Sequence, residues 1–130
     1  MSQTRVLLVD DNAEVRAGVR RLFHVHPKFE VCGEASHGRE AVEKAPSLRP
    51  DLIVLDLSMP VMNGLEAAKL LSKILPDAWI ILLTSHEFPE VLRLLREAGI
   101  HAVVSKSNAV THLIAQAEAL VAQSGRAHNA

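Results

Sequence analysis

Short apolar runs alternate with amphipathic stretches five times along the chain. The runs are Val6–Val9, Phe29–Ala35, Leu52–Leu55, Trp79–Leu83 and Ala102–Val104. Each is rich in Val, Ile or Leu and bounded by polar or turn residues, as strands buried on both faces of a parallel sheet are. The second run differs, because Phe29-Glu30-Val31-Cys32-Gly33-Glu34 partly alternates, which predicts an edge strand half-exposed to water. Between the runs, Ala13–Val25 places Val15, Val19, Leu22 and Phe23 at helical spacing, and Pro27 follows its end. Further helices are predicted over Gly38–Leu48, Leu65–Leu75, Glu90–Ala98 and Ala109–Gln123. Pro50, Pro76 and Gly99 supply stops for three of them. Strictly alternating strands and helices predict an α/β fold with right-handed crossovers and helices on both sheet faces. Residues from Ser124 to Ala130 have no periodicity and are expected to form a frayed tail.

Bulk composition narrows the classes. At 130 residues there is room for one domain, and 48% hydrophobic residues are enough for its core. A formal net charge of −1 gives no electrostatic drive toward nucleic acid or an anionic membrane. The single cysteine, Cys32, permits no intrachain disulfide. Four apolar residues after the N-terminal stretch are too few for a signal-peptide core, and no run approaches the ~20 residues that span a bilayer. The expectation is a cytoplasmic protein that binds neither nucleic acid nor membrane directly.

Chemistry enters at the strand ends. In an open parallel sheet, ligands bind beyond the carboxyl ends of the strands. The first strand ends in Asp10-Asp11, the third in Asp56, the fourth in Thr84-Ser85 and the fifth in Ser105-Lys106, whereas the second runs into Ser36-His37. Singly, each has an ordinary reading: Asp11 or Asn12 as a helix cap, Asp56 as a strand exit, Thr84 as a turn residue, Lys106 as a solvated helix-end charge. Together they put three carboxylates, a hydroxyl and an ammonium on one sheet edge. Two like charges 4 Å apart repel by about 4 kcal/mol at an effective dielectric of 20, so Lys106 alone does not neutralise the cluster. An oxygen-rich site without His or Cys favours magnesium, with manganese as the alternative. Such a site suits phosphoryl transfer to a carboxylate nucleophile.

Val6-Leu7-Leu8-Val9-Asp10-Asp11-Asn12, Asp56-Leu57-Ser58-Met59-Pro60-Val61-Met62-Asn63-Gly64, Leu83-Thr84-Ser85 and Lys106 together resemble the receiver domains of two-component response regulators. The segments Glu14–Arg20 and Phe29–Ala35 are most similar to the NarL/FixJ group. The resemblance covers about residues 4 to 121, essentially the whole folded part. It implies a flavodoxin-like, doubly wound sheet of five parallel strands in the order 2-1-3-4-5 with five helices. The domain is then set at residues 1–121, with a flexible tail over 122–130.

The same resemblance implies roles. Asp56 is the phosphoacceptor. Asp10, Asp11, Asp56 and the backbone carbonyl of Ser58 hold magnesium, and Thr84 and Lys106 contact the phosphoryl group. Partners implied are a histidine kinase or phosphotransfer protein and an output protein or domain, with homodimerisation on phosphorylation left open. The protein is then a self-phosphorylating and self-dephosphorylating switch, not a turnover enzyme. Receivers of this group usually precede a DNA-binding helix-turn-helix, so a free-standing receiver and a fragment of a DNA-binding regulator both fit. A phosphohydrolase acting through an aspartyl phosphate is the rival from another class. It normally needs a second carboxylate two residues beyond the nucleophile, where this chain has Ser58.

Four positions depart from the family pattern or modulate it. Val103 stands where an aromatic ring usually turns inward, so the usual coupling of threonine to ring is not expected. Ser107 replaces a common proline, and Ser107 or Asn108 is expected to cap the last helix. Ser58 and His86 lie two positions beyond Asp56 and Thr84, where they are expected to influence the water that attacks the phosphoryl group, although a solvated loop histidine is an equally good reading of His86. Leu92, Arg93, Leu95 and Arg96 offer apolar and basic groups for a partner surface on the fourth helix, against the simpler reading of one buried and one solvated stripe. The seven histidines are scattered, which argues against a histidine metal site. Cys32 is read as a small packed residue.

Overall fold

A computed structural model of the chain describes residues 3–85 and 92–127. The elements follow in strict alternation. They are β1 (Thr4–Val9), α1 (Ala13–His24), β2 (Phe29–Ala35), α2 (Gly38–Leu48), β3 (Leu52–Asp56), α3 (Gly64–Ile74), β4 (Trp79–Thr84), α4 (Leu92–Glu97), β5 (Ala102–Ser105) and α5 (Ala109–Ala127). All pairings are parallel and the strand order is β2-β1-β3-β4-β5. The chain therefore reverses direction across the sheet between β1 and β3, and the carboxyl ends of these two strands stand side by side.

The period-2 geometry of the strands divides the core into two layers. Leu7, Val9, Ile53, Leu55, Ile80 and Leu82 face α2, α3 and α4, where Ala41, Ala45, Ala67, Ala68 and Leu71 let the helices approach closely. Val6, Leu8, Leu52, Val54, Ile81 and Leu83 face α1 and α5, meeting Val19, Phe23, Leu113 and Ala117. Each large aliphatic side chain fully removed from water contributes about 1.5–3 kcal/mol, so both layers anchor the rim that carries the polar residues. Phe23 and Phe29 pack edge to face with centroids 5.1 Å apart, fixing α1 against the sheet edge.

β2 is the edge strand its partial alternation predicts. Its register against β1 shifts between Val6 and Leu7, which face Val31 and Gly33, so Cys32 is the extra residue of a bulge. Bulges break the regular run of free backbone groups that makes an edge adhesive. The Cys32 thiol is half-buried, and burial pushes its pKa up.

Helix boundaries follow local chemistry. Asn12 caps α1 by accepting from the N–H groups of Glu14 and Val15 at 2.9 and 3.1 Å. Asn63 and Glu66 form a reciprocal capping box on α3. Two expectations change at the C-terminal end. Ser107 and Asn108 lie in a 3-10 turn, Lys106–Asn108, and the Ser107 hydroxyl pairs with Ser105 Oγ at 2.8 Å. α5 continues to Ala127, so the stretch from Ser124 that was expected to fray is helical through Ala127.

The opposite rim is closed by an aromatic pair. His101 N–H donates to the Ile80 carbonyl at 2.8 Å, while Ile80 N–H donates back to His101 Nδ1 at 3.0 Å. The Trp79 ring lies edge-on to the imidazole, 4.8 Å between centroids.

Candidate functional site

The sequence-predicted carboxylates do converge. Asp10 follows β1 directly, and its N–H still bonds the Ala35 carbonyl at 3.1 Å. Its Oδ1 accepts from Asn12 N–H at 2.9 Å, which folds the side chain back over the turn. Asp56 is the last residue of β3, beside β1 in the sheet. Asp10 and Asp56 are each 5% exposed, whereas Asp11 is open to solvent. Oxygens of Asp10, Asp11 and Asp56 all lie within 4.8 Å of one another.

Lys106 reaches in from beyond β5. Its Nζ lies 3.0 Å from Asp10 Oδ2 and 3.2 Å from Asp56 Oδ1. The approach to Asp10 Oδ2 is an ionic contact without the direction of a hydrogen bond, which leaves that buried oxygen without a hydrogen-bond partner. Burial raises the Asp56 pKa, the Asp10 charge raises it further, and Lys106 only partly offsets them. For Lys106, burial works against the ammonium, but the Asp10 and Asp56 carboxylates outweigh it and the pKa rises. The lysine is thus held charged between two acids that it does not fully compensate.

These features fit a hard divalent cation. Its donors would be oxygens only, the acids carry surplus negative charge, and one buried carboxylate oxygen still lacks a hydrogen bond. Beside the acids runs an open groove of about 470 Å³ lined by Asp11, Leu57, Ser58, Met59, Pro60, Asn63 and Leu65. Ser58 is exposed there.

Thr84 is 3% exposed at the end of β4, paired with Ser105, while its predecessor Leu83 pairs with Asp56. The hydroxyl is therefore one strand away from the acids. Val103 is 38% exposed on β5. His86 lies outside the described residues, as do the side chains of Leu92 and Arg93. Of the proposed partner surface on α4, Leu95 is buried in the core and Arg96 is exposed.

The loop after Asp56 is closely fitted. A Cβ on Gly64 would stand 2.2 Å from the Asp56 carbonyl oxygen and 2.9 Å from Leu57 Cα. Gly64 N–H donates to the Leu57 carbonyl at 2.9 Å. At the loop tip Val61 has φ of 68°, and Met62 N–H reaches the Pro60 carbonyl at 2.7 Å, a γ-turn. The Met62 carbonyl in turn receives Gly38 N–H at 3.1 Å, so the loop is tied to the start of α2.

Sequence reasoning missed a basic residue beneath the site. Arg16, in the first turn of α1, donates from Nε to Glu34 Oε1 at 3.0 Å and from Nη1 to the Asp10 backbone carbonyl. A cation in the first turn opposes the helix macrodipole, and that mismatch was the available signal.

The sequence profile of the response regulator receiver domain matches residues 6–118. The chain belongs to that family. The VraR response regulator protein of Staphylococcus saprophyticus is 38% identical over 110 residues, covering 84% of this chain and 52% of VraR. The chain spans about half the length of the curated relatives it matches. Among solved structures, a LuxR-family two-component response regulator from Aurantimonas superposes with a TM-score of 0.87 at 34% identity, over 93% of this chain and 86% of that one. The isolated receiver domain of RcsB from Salmonella enterica, solved in the presence of the phosphomimetic BeF3−, gives 0.84 at 27% identity, over 92% and 88%. The receiver fold with strand order 2-1-3-4-5, expected from the motifs, is therefore the fold of this chain.

Proposed function

We propose that Asp56 is the phosphoacceptor of this two-component receiver domain. The observation that carries the reading is the Lys106 ammonium held between Asp56 at the end of β3 and Asp10 just beyond β1, with Asp11 beside them. Asp10, Asp11, Asp56 and the Ser58 carbonyl are the groups that would hold magnesium, with manganese as the alternative. The cation would supply positive charge for the oxygens of an incoming phosphoryl group.

The chain's own residues perform the rest. An Asp56 carboxylate oxygen attacks phosphorus, the bond to the donor's leaving nitrogen or oxygen breaks, and that atom leaves with the bonding pair. The product is an acyl phosphate on Asp56. Lys106 neutralises charge on a phosphoryl oxygen, and Thr84 supplies a hydroxyl to another. Hydrolysis returns the carboxylate, at a rate that Ser58 and His86 tune. Because Val103 offers no ring to turn inward, activation is weaker or is read through the loop after Thr84.

The donor is a histidine kinase or phosphotransfer protein, the setting is the cytoplasm, and the readout is an output protein or domain. The RcsB receiver solved in the presence of a phosphomimetic supports the chemistry, and an RcsB response regulator described for DNA interaction, of which this chain covers 60%, supports a DNA-binding regulator as the longer protein.

Incubation with acetyl phosphate and magnesium, followed by intact mass, tests this. Wild type should gain about 80 Da, one phosphoryl group, and Asp56→Asn should gain nothing. Absence of the adduct with both acetyl phosphate and a cognate kinase would sink the reading. Turnover of many equivalents of a phosphate ester would turn it into a hydrolase.

A further inference from the structure

Arg16 sits where helix physics disfavours it. Its position in the first turn of α1 places a cation at the positive end of the macrodipole. Its side chain is only 18% exposed and is held at two points, Glu34 Oε1 on β2 and the Asp10 backbone carbonyl. Asp10 is thereby fixed at each of its polar groups on the turn. Its N–H goes to Ala35, its carbonyl receives Arg16, and its Oδ1 receives Asn12 N–H.

The carbonyl that Arg16 holds belongs to the peptide joining Asp10 to Asp11. Rotation of that peptide would change where the exposed Asp11 carboxylate projects. Arg20 provides an internal comparison, since it also pairs with Glu34 but is not bonded to Asp10.

We propose that Arg16 is a positioning residue for cation binding: it locks the Asp10–Asp11 peptide so that both carboxylates are preorganised toward the metal. The inference rests on the proposed reading of Asp10 and Asp11 as metal groups. Its sign is what makes it distinctive. Removing a nearby positive charge should, by Coulomb's law alone, strengthen binding of a dication. Loss of positioning should weaken it.

The test is magnesium titration by calorimetry on the whole chain, without any phosphodonor, for wild type, Arg16→Met, Arg16→Lys and Arg20→Met. Groups that orient metal ligands typically change affinity by about tenfold or more when lost. Arg16→Met should therefore weaken magnesium by about tenfold, and Arg16→Lys by more than about twofold, because an ammonium cannot span both acceptors as the planar fork does. Arg20→Met should leave affinity unchanged or slightly tighter. In parallel, the phosphorylation rate at saturating magnesium should stay within about twofold of wild type for Arg20→Met.

Weakening of about twofold or less by Arg16→Met, or equal weakening by Arg20→Met, overturns the proposal. Should Arg16→Met fail to fold, Arg16→Lys decides by the same twofold criterion. A wild type that binds magnesium but forms no adduct defeats the Asp56 reading alone; one that binds no magnesium defeats both.

Discussion

Lys106 Nζ bridges Asp10 Oδ2 and Asp56 Oδ1 at 3.0 and 3.2 Å, so one ammonium serves two acids from neighbouring strands. Removing either kind of charge should therefore move metal-free stability in opposite directions. Lys106→Met leaves two buried carboxylates facing each other and should cost about 1–2 kcal/mol, discounted for partial solvent access. Asp56→Asn relieves the repulsion and should gain about 1 kcal/mol. Urea unfolding with EDTA measures both, and magnesium should narrow the Lys106→Met deficit. Equal destabilisation by both variants would contradict the electrostatic account.

Gly64 has no space for a side chain, since a Cβ would lie 2.2 Å from the Asp56 carbonyl oxygen. That oxygen and Leu57 Cα, 2.9 Å away, are backbone atoms, so relief must come from moving the strand end itself. Gly64→Ala should cost about 2 kcal/mol or more and slow adduct formation on Asp56 in the folded fraction. Unfolding midpoints and intact-mass time courses together separate these effects.

Val61 is β-branched, 71% exposed, and held at φ of 68°. It contributes little burial while carrying a conformation that costs a β-branched residue roughly 1–3 kcal/mol. Glycine adopts positive φ without a Cβ clash, so Val61→Gly should raise stability by about 1 kcal/mol, net of glycine's greater unfolded-chain entropy. A higher urea midpoint at unchanged slope is the expected result.

His101 links stability to pH. Its Nδ1 accepts the Ile80 N–H, which only a ring unprotonated at that nitrogen can do, and burial holds its pKa below the ordinary 6.5. The unfolded chain therefore binds the proton more readily than the folded one, and stability falls as pH drops. The contribution is complete above 6.5 and is lost between that value and the lower folded one. His101→Phe should flatten the fall in melting temperature from pH 7.5 toward pH 5; an unchanged slope would refute the role.

The strands were legible because buried parallel strands are written as continuous Val, Ile and Leu, whereas their order came from the family resemblance. The apolar runs stop short of Asp56, Thr84 and Ser105, yet the ladder includes all three. Hydrophobicity ends where the polar rim begins, while backbone pairing goes on. The convergence of Asp10, Asp56 and Lys106 was legible for the same reason, since each directly follows or ends a strand. Arg16 was hidden because its acceptor is a backbone carbonyl, and a carbonyl has no letter in a sequence. The helical course of Ser124–Ala127 was hidden because small polar residues give no amphipathic signal.

The protein contains one tryptophan, and its placement on β4 decides what it can report. Trp79 opens the strand that Thr84 closes, roughly 17 Å away at the usual rise per residue. Its emission is thus blind to direct quenching at the acidic rim, while the His101 imidazole lies edge-on to its ring. A fluorescence change on adding beryllofluoride at constant pH would therefore be an optical readout of β4 carrying strain end to end. Silence would mean that β4 does not carry the change as far as Trp79.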